Sequence, residues 1–206
     1  MRYATLYIAS IIIVLFVAQQ IEPSLTDNFK LVSADLAERP WTLFTSVFLH
    51  STATHLLYNL FGLLLFGLIL EQKIGTRRFL AVFAASGILA SIAASLFYQS
   101  ALGASGAIFG IIGALAILRP LMVVWVSYIP MPIFAAAIFW AAGDMLGFLI
   151  PSNIANAAHL AGLALGIIFG FLIRGKKPLF TKRKKQPPAV TKQELDAWEE
   201  KHMFKD

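Results

Sequence analysis

The chain has 206 residues, 58% apolar and 14% charged, with a mean hydropathy of +0.74 and no cysteine. Soluble domains average roughly 45–50% apolar and about 25% charged, so an ordinary water-soluble globule is excluded, and so are disulfides and thiolate metal sites. A net charge of +6 suggests nucleic acid, but seven of the 17 Lys/Arg lie in RGKKPLFTKRKK (174–185), directly after an apolar run, where basic clusters mark a cytoplasmic flank touching anionic lipid.

Several apolar runs reach the ~20 residues that a helix needs to cross a bilayer. The first, residues 4–20 of MRYATLYIASIIIVLFVAQQ, could pass for a secretory leader. No clean small-x-small cleavage site follows it and many spans do, so it reads as the first transmembrane helix. Residues 21–53 then form a long connection, and connections of that length are uncommon unless functional or disordered. Its RPWTLFTSVFL stretch (39–49) is apolar and aromatic and is expected in the membrane interface.

Further spans are predicted over 54–71, 79–99, 104–118, 121–149 and 154–173. The fourth and sixth are short and glycine-rich. The fifth carries Pro130 and Pro132, and its β-branched start, LMVVWVSYIP, reads as a re-entrant or interfacial entry to a helix beginning near Pro132. After the basic cluster, TKQELDAWEEKHMF (191–204) predicts a short surface helix opened by a Thr191–Glu194 capping box. The fold class is therefore all-α, a polytopic six-helix bundle. Residues 1–174 form the membrane domain and 175–206 a basic tail with a short helix.

Charge sets the orientation. With the N-terminus inside, the inner flanks hold Arg2, Lys73, Arg77, Arg78, Arg119 and the 174–185 cluster. The outer connections hold only Lys30 and Arg39, against Glu22, Asp27, Asp35 and Glu38. The positive-inside rule puts both termini in the cytoplasm.

Ionisable and strongly polar residues inside spans are costly and mark functional sites by default. Here they are His55 and Asn59 on the second span, Ser105 on the fourth, Asp144 on the fifth, and Asn156 and His159 on the sixth. Counting from the charged flanks at 1.5 Å per residue puts Ser105 roughly 21 Å from Arg119, His159 roughly 22 Å from Arg174 and Asn59 roughly 21 Å from Lys73. Three polar groups on three helices share one level. His159, Gly162, Gly166 and Gly170 form one stripe, and Gly106, Gly110 and Gly113 another. Small-residue stripes let helix backbones approach closely, which brings Ser105 and His159 within hydrogen-bond reach.

A serine beside a histidine is a nucleophile beside a general base. Gly103 and Gly106 permit a tight turn at a helix start, where free amides and the positive helix end stabilise an oxyanion. His55 and Asn59 are side-chain donors at a similar depth. No acidic third member stands out: Asp144 is the one candidate, nearer the outer end of its span, and equally reads as a solvated residue. The bland alternatives are a structural histidine, an Asn59 bonding between helices, a His50 bracing the outer loop, a Phe109 that only packs, and a Glu71 paired with Arg77 or Arg78.

Three separated motifs make the chain resemble the rhomboid family of intramembrane serine proteases. FLHSTATHLLYN (48–59) supplies H-x-x-x-N as His55 and Asn59; GASG (103–106) supplies G-x-S-G around Ser105; AHLAGLALG (158–166) supplies A-H-x-x-G-x-x-x-G around His159. The resemblance covers about residues 39 to 174. It implies a Ser105–His159 dyad without an aspartate, and an oxyanion or substrate-binding site from His55, Asn59, Gly103 and the Ser105 backbone. It also implies a cavity open to the extracytoplasmic side of the cell membrane, gated by the fifth helix and the connection after it. No metal or cofactor is implied. The partners implied are single-pass transmembrane substrates and the lipid bilayer, with no nucleic acid. Two positions depart from the family pattern: Thr42 follows Trp41 where arginine is usual, and Phe109 stands where tyrosine is frequent. A non-catalytic rhomboid-like client binder is disfavoured because both serine and histidine are present, and a transporter because no internal symmetry is visible.

Overall fold

The structure is a computed structural model that describes residues 3–147, 154–175 and 191–203. The chain divides into two units, Met1–Gly175 and Lys176–Asp206, and is mostly helical. Most of the expected basic cluster and the last two residues of the expected fifth span lie outside the described residues. So does the connection expected to gate the site.

The first helix, α1 (Ala4–Ile21), has no side-chain N-cap and no acidic residue in its first turn. Its leading amides therefore need acceptors from elsewhere. Glu71 supplies them. Its carboxylate accepts from the Ala4 amide (3.0 Å), the Thr5 amide (3.0 Å), the Thr5 hydroxyl (2.8 Å) and the Thr76 hydroxyl (2.7 Å). The expected pairing of Glu71 with Arg77 or Arg78 is thus replaced by a polar clamp on α1. With four donors already on its two oxygens, this buried carboxylate is satisfied without a cation.

The long connection is ordered. It contains α2 (Ser24–Phe29), β1 (Leu31–Val32) and α3 (Thr42–Thr45), with Trp41 and Phe44 exposed. The following span, Ala53–Ile74, comprises α4 (Ala53–Gly62), a π-helical turn over Leu63–Gly67 and α5 (Leu68–Ile74). Thr52 caps it through the His55 amide at 3.1 Å. Gly75, at φ +84°, makes the corner into α6 (Thr76–Phe97). Then come β2 (Ser100–Ala101) and α7 (Ser105–Leu118).

The start of the predicted fifth span is a hairpin of β3 (Val123–Val126) and β4 (Ile129–Pro132), with Val123 opposite Pro132 and Val126 opposite Ile129. Ser127 and Tyr128 take positive φ values of 48° and 70°, as a two-residue hairpin turn twisted to match its strands requires. In a two-stranded sheet each strand has a free edge, so Pro130 and Pro132 are tolerated there. The re-entrant or interfacial entry is therefore an extended hairpin, and α8 (Ile133–Gly147) starts directly after Pro132. The last helices are α9 (Asn156–Arg174) and α10 (Lys192–His202). The latter begins one residue after the expected cap Thr191.

Among the described residues, α1, Ala53–Ile74, α6 and α9 are long and apolar enough to cross a membrane. The remaining two apolar helices, α7 and α8, have 14 and 15 residues, or roughly 21 and 22 Å against a ~30 Å hydrocarbon core. The sixth predicted span is of full length, and the fifth is shortened by the hairpin.

Apart from its first residue and a few near its ends, α7 is buried, packed between α6 and α9. The glycine stripes explain how. A Cβ added at Gly162 would collide with the Gly106 carbonyl oxygen, and one at Gly166 with the Gly110 carbonyl oxygen. On the other side, Gly106 faces the Ala90 methyl and Gly110 the Ser86 side chain. Overpacking costs about 1–3 kcal/mol where side chains can yield, and here the obstacle is backbone. Gly166→Ala is therefore expected to destabilise the bundle by about 2 kcal/mol or more, read from thermal unfolding in detergent. Gly143→Ala, where an added Cβ meets nothing within 4 Å, should leave the transition in place or raise it slightly.

Candidate active site

Ser105 is the first residue of α7 and His159 lies in the first turn of α9. The glycine contacts set these two helix starts side by side. His159 Nε2 and Ser105 Oγ are 2.8 Å apart, within hydrogen-bond distance. On the far side of the ring, Nδ1 is 3.0 Å from Asp144 Oδ1. Asp144 is 7% exposed, so it is a buried neighbour of the histidine and not a solvated residue. Phe109, one turn below Ser105, stacks on the His159 ring with centroids 4.3 Å apart and planes 5° from parallel. That fixes the ring plane on an apolar floor.

The loop before Ser105 is held on three counts. β2 pairs antiparallel with β1, Leu31 opposite Ala101 and Val32 opposite Ser100. The Ser33 amide donates to the Gln99 carbonyl at 2.9 Å. The Gly103 amide donates to the Ser46 carbonyl, also at 2.9 Å. Gly103 takes φ +121°, a conformation side chains avoid, and a Cβ there would stand 2.7 Å from His55 Cε1. Gly103 thus contributes its shape and the space above it, while its own amide is engaged. The leading amides of α7, Ser105's included, have no acceptor within the helix.

His55 lies across that bare glycine, with Nδ1 3.2 Å from Ser51 Oγ. Asn59 donates one side-chain N–H to the His55 carbonyl at 2.9 Å, and its amide carries a second N–H. The structure therefore gathers Ser105, His159, Gly103 and His55 at one place, with Asn59 one turn along α4 from His55. Small side chains, among them Ser46, Ala90, Ser91, Ala94 and Ala158, line a cleft beside Ser105. Sequence reasoning missed these lining residues, because single small residues on α6 carry no pattern of their own. It also missed Tyr98, whose hydroxyl accepts from the Ala157 amide at 3.1 Å and steadies the start of α9.

Comparison with known proteins gives the family. A family model described as the Rhomboid domain matches residues 37–176. The chain belongs to the rhomboid family. It is 37% identical over 150 residues to RHOMBOID-like protein 1 of Arabidopsis thaliana, covering 69% of this chain and 37% of that one. It is 35% identical over 136 residues to the mitochondrial RHOMBOID-like protein 6 of the same plant, covering 65% and 43%. With Rhomboid protease GluP of Bacillus subtilis it shares 47% identity over 77 residues, 36% of this chain and 15% of GluP. The chain spans about two fifths of the length of these plant relatives. The family and the apolar helices together make it a multi-pass membrane protein.

His50 gives this rhomboid-family site a buried neighbour. Its backbone is braced by Gln19, which accepts from the His50 amide at 3.1 Å and donates to its carbonyl at 3.3 Å. Its ring is edge-on to His55, centroids 5.0 Å apart. Both ring nitrogens are buried without partners among the described residues. Burial, with the positive charge available on His55 as a second cause, lowers the His50 pKa from 6.5 to about 4. A depressed pKa means that the unfolded chain binds the proton first. The neutral ring's contribution is complete above pH 6.5 and is lost as pH falls from there to about 4. Thermal stability in detergent should therefore drop over that window by up to about 3 kcal/mol, and His50→Gln should remove that part of the pH dependence.

Proposed function

We propose that this chain is an intramembrane serine endopeptidase that cleaves single-pass membrane proteins in or near their transmembrane segments. The observation that carries the reading is the 2.8 Å contact between Ser105 Oγ and His159 Nε2. In this reading Ser105 Oγ attacks the scissile carbonyl carbon while its proton passes to His159 Nε2. The carbonyl π electrons move to oxygen. The resulting oxyanion is held by the Ser105 amide at the positive end of α7, the second Asn59 N–H and the His55 Nε2–H. If the Ser51 hydroxyl donates to His55 Nδ1, the proton of that ring sits on Nε2, facing Gly103.

Collapse of the tetrahedral intermediate breaks the C–N bond, and His159 returns its proton to the leaving amine. Water then attacks the acyl-enzyme, again giving a proton to Nε2. Ser105 leaves with that proton and the acid product departs. A transmembrane helix hides its carbonyls in its own hydrogen bonds, so the substrate unwinds before it is cut. The small residues beside Ser105 suit a small substrate side chain at the cut.

The bundle in this reading is the six-span membrane domain 1–174, and 175–206 is the basic tail. Both termini face the cytoplasm, the site opens to the extracytoplasmic side of the cell membrane, and the bilayer is the enclosing partner. Charge asymmetry supports that orientation. Ser105→Ala and His159→Ala should each abolish cleavage of a helical membrane substrate in liposomes while leaving the thermal transition near wild type. A fluorophosphonate probe should label wild type and not Ser105→Ala. Undiminished proteolysis by either variant sinks the assignment.

A further inference from the structure

The β3–β4 hairpin lies at the end of α7 away from Ser105, and the chemistry there does not use it. Its two faces differ. Val124 and Val126 are buried in the main core, while Val123 and Trp125 are 61% and 71% exposed. Cross-strand partners share a face, so Pro132 lies beside Val123 and Pro130 beside Trp125. Tyr128 and Ile129 at the turn are exposed as well. No charged residue occurs between Arg119 and Asp144. In water such a face would be an aggregation hazard, because strands that meet water are guarded by charged side chains.

Two observations decide what covers it. The first is hydrogen bonding. The Ile133 amide donates to the Met122 carbonyl at 2.8 Å, and in an antiparallel ladder the bonded pairs recur at every second residue. Val124–Met131 and Val126–Ile129 are then bonded pairs, and the backbone of Pro130 and Pro132 faces outward. Proline has no N–H, so the free edge of β4 offers no donor. A second copy of the chain cannot zip onto that edge by strand pairing, and no amide there is left unsatisfied where water is scarce. The second observation is continuity. In this membrane protein β4 runs directly into α8, whose Phe134, Ile138 and Phe139 are exposed apolar side chains. At the other end of the hairpin stands Arg119, also exposed. Tryptophan and tyrosine close to a cation settle where headgroups meet acyl chains.

We propose that the outer face of the β3–β4 hairpin is a lipid-docking surface, seated where headgroups meet acyl chains at the end of the bundle away from Ser105. Trp125 and Tyr128 anchor the start of α8 there. Val123, Pro130 and Pro132 stand where a hairpin in water would carry charged side chains. The occupant is the bilayer and not a second protein. This surface is independent of the reaction at Ser105.

The chain has no cysteine, so a single introduced one carries a spin label at a known place. Val123→Cys and Ile129→Cys are each made in the full chain, labelled, and reconstituted in phosphatidylcholine liposomes. Electron paramagnetic resonance then compares collisions with oxygen, which partitions into lipid, and with a nickel chelate, which stays in water. Both labels should collide faster with oxygen, at a depth of about 5–10 Å into the boundary. Trp125→Ser with Tyr128→Ser should move the Val123→Cys label outward, read as a rise in its nickel collision rate. Nickel collisions that outpace oxygen at both labels overturn the proposal. So does spin–spin broadening that vanishes when labelled chain is diluted with unlabelled chain, because a second copy then covers the face. A label that stays at the same depth in the double variant overturns the anchoring by Trp125 and Tyr128. Should the double variant fail to insert, the depths of the two labels in the otherwise unaltered chain decide.

Discussion

Backbone meets backbone between α7 and α9, and the rest of the site depends on that contact. Side chains normally keep helix axes 8–10 Å apart. At Gly106, Gly110, Gly162 and Gly166 there are none to do so. The close approach leaves little freedom in how the two helices slide or rotate. Because Ser105 and His159 both sit at the same end of this seam, the fit of the glycines also sets the distance between Ser105 Oγ and His159 Nε2. Phe109 then fixes the ring by stacking on it.

The segment that first reads as an overlong connection has a structural task. It supplies β1, which pairs with β2, and the Ser46 carbonyl, which takes the Gly103 amide. Between them they pin the loop whose last turn presents Ser105. A side chain at Gly103 would push into the His55 ring, so the left-handed glycine serves packing as much as chain direction. Ser105 stands at the start of a rigid helix, approached through a loop anchored to two other parts of the fold.

Much of this was legible in the sequence. Charged flanks acted as depth rulers and put Ser105, Asn59 and His159 at one level, and the glycine spacing announced the seam. Those signals are local and periodic. What stayed hidden depends on partners far apart in the chain. Asp144 reads only as lying nearer the outer end of its span, and its contact with His159 stays hidden because Val123–Pro132 is a hairpin and not the start of a span. Two-residue strands such as β1 and β2 are too short to show a period. Glu71 reads as one half of an ion pair with Arg77 or Arg78, yet its oxygens reach back to the first turn of α1, 66 and 67 residues away.

That last contact has a consequence for the order in which the protein assembles. Helix α1 is synthesised before its partner and has no side-chain cap for its own leading amides. Its acceptor lies 66 and 67 residues further on, in a carboxylate that also needs the Thr76 hydroxyl. Unsatisfied amides in a membrane are costly, so α1 can enter early but settles only after the corner at Gly75 has been made. Helix α1 is thus made before the carboxylate that fixes its register. The turn at Gly75 acts as the latch for the start of α1.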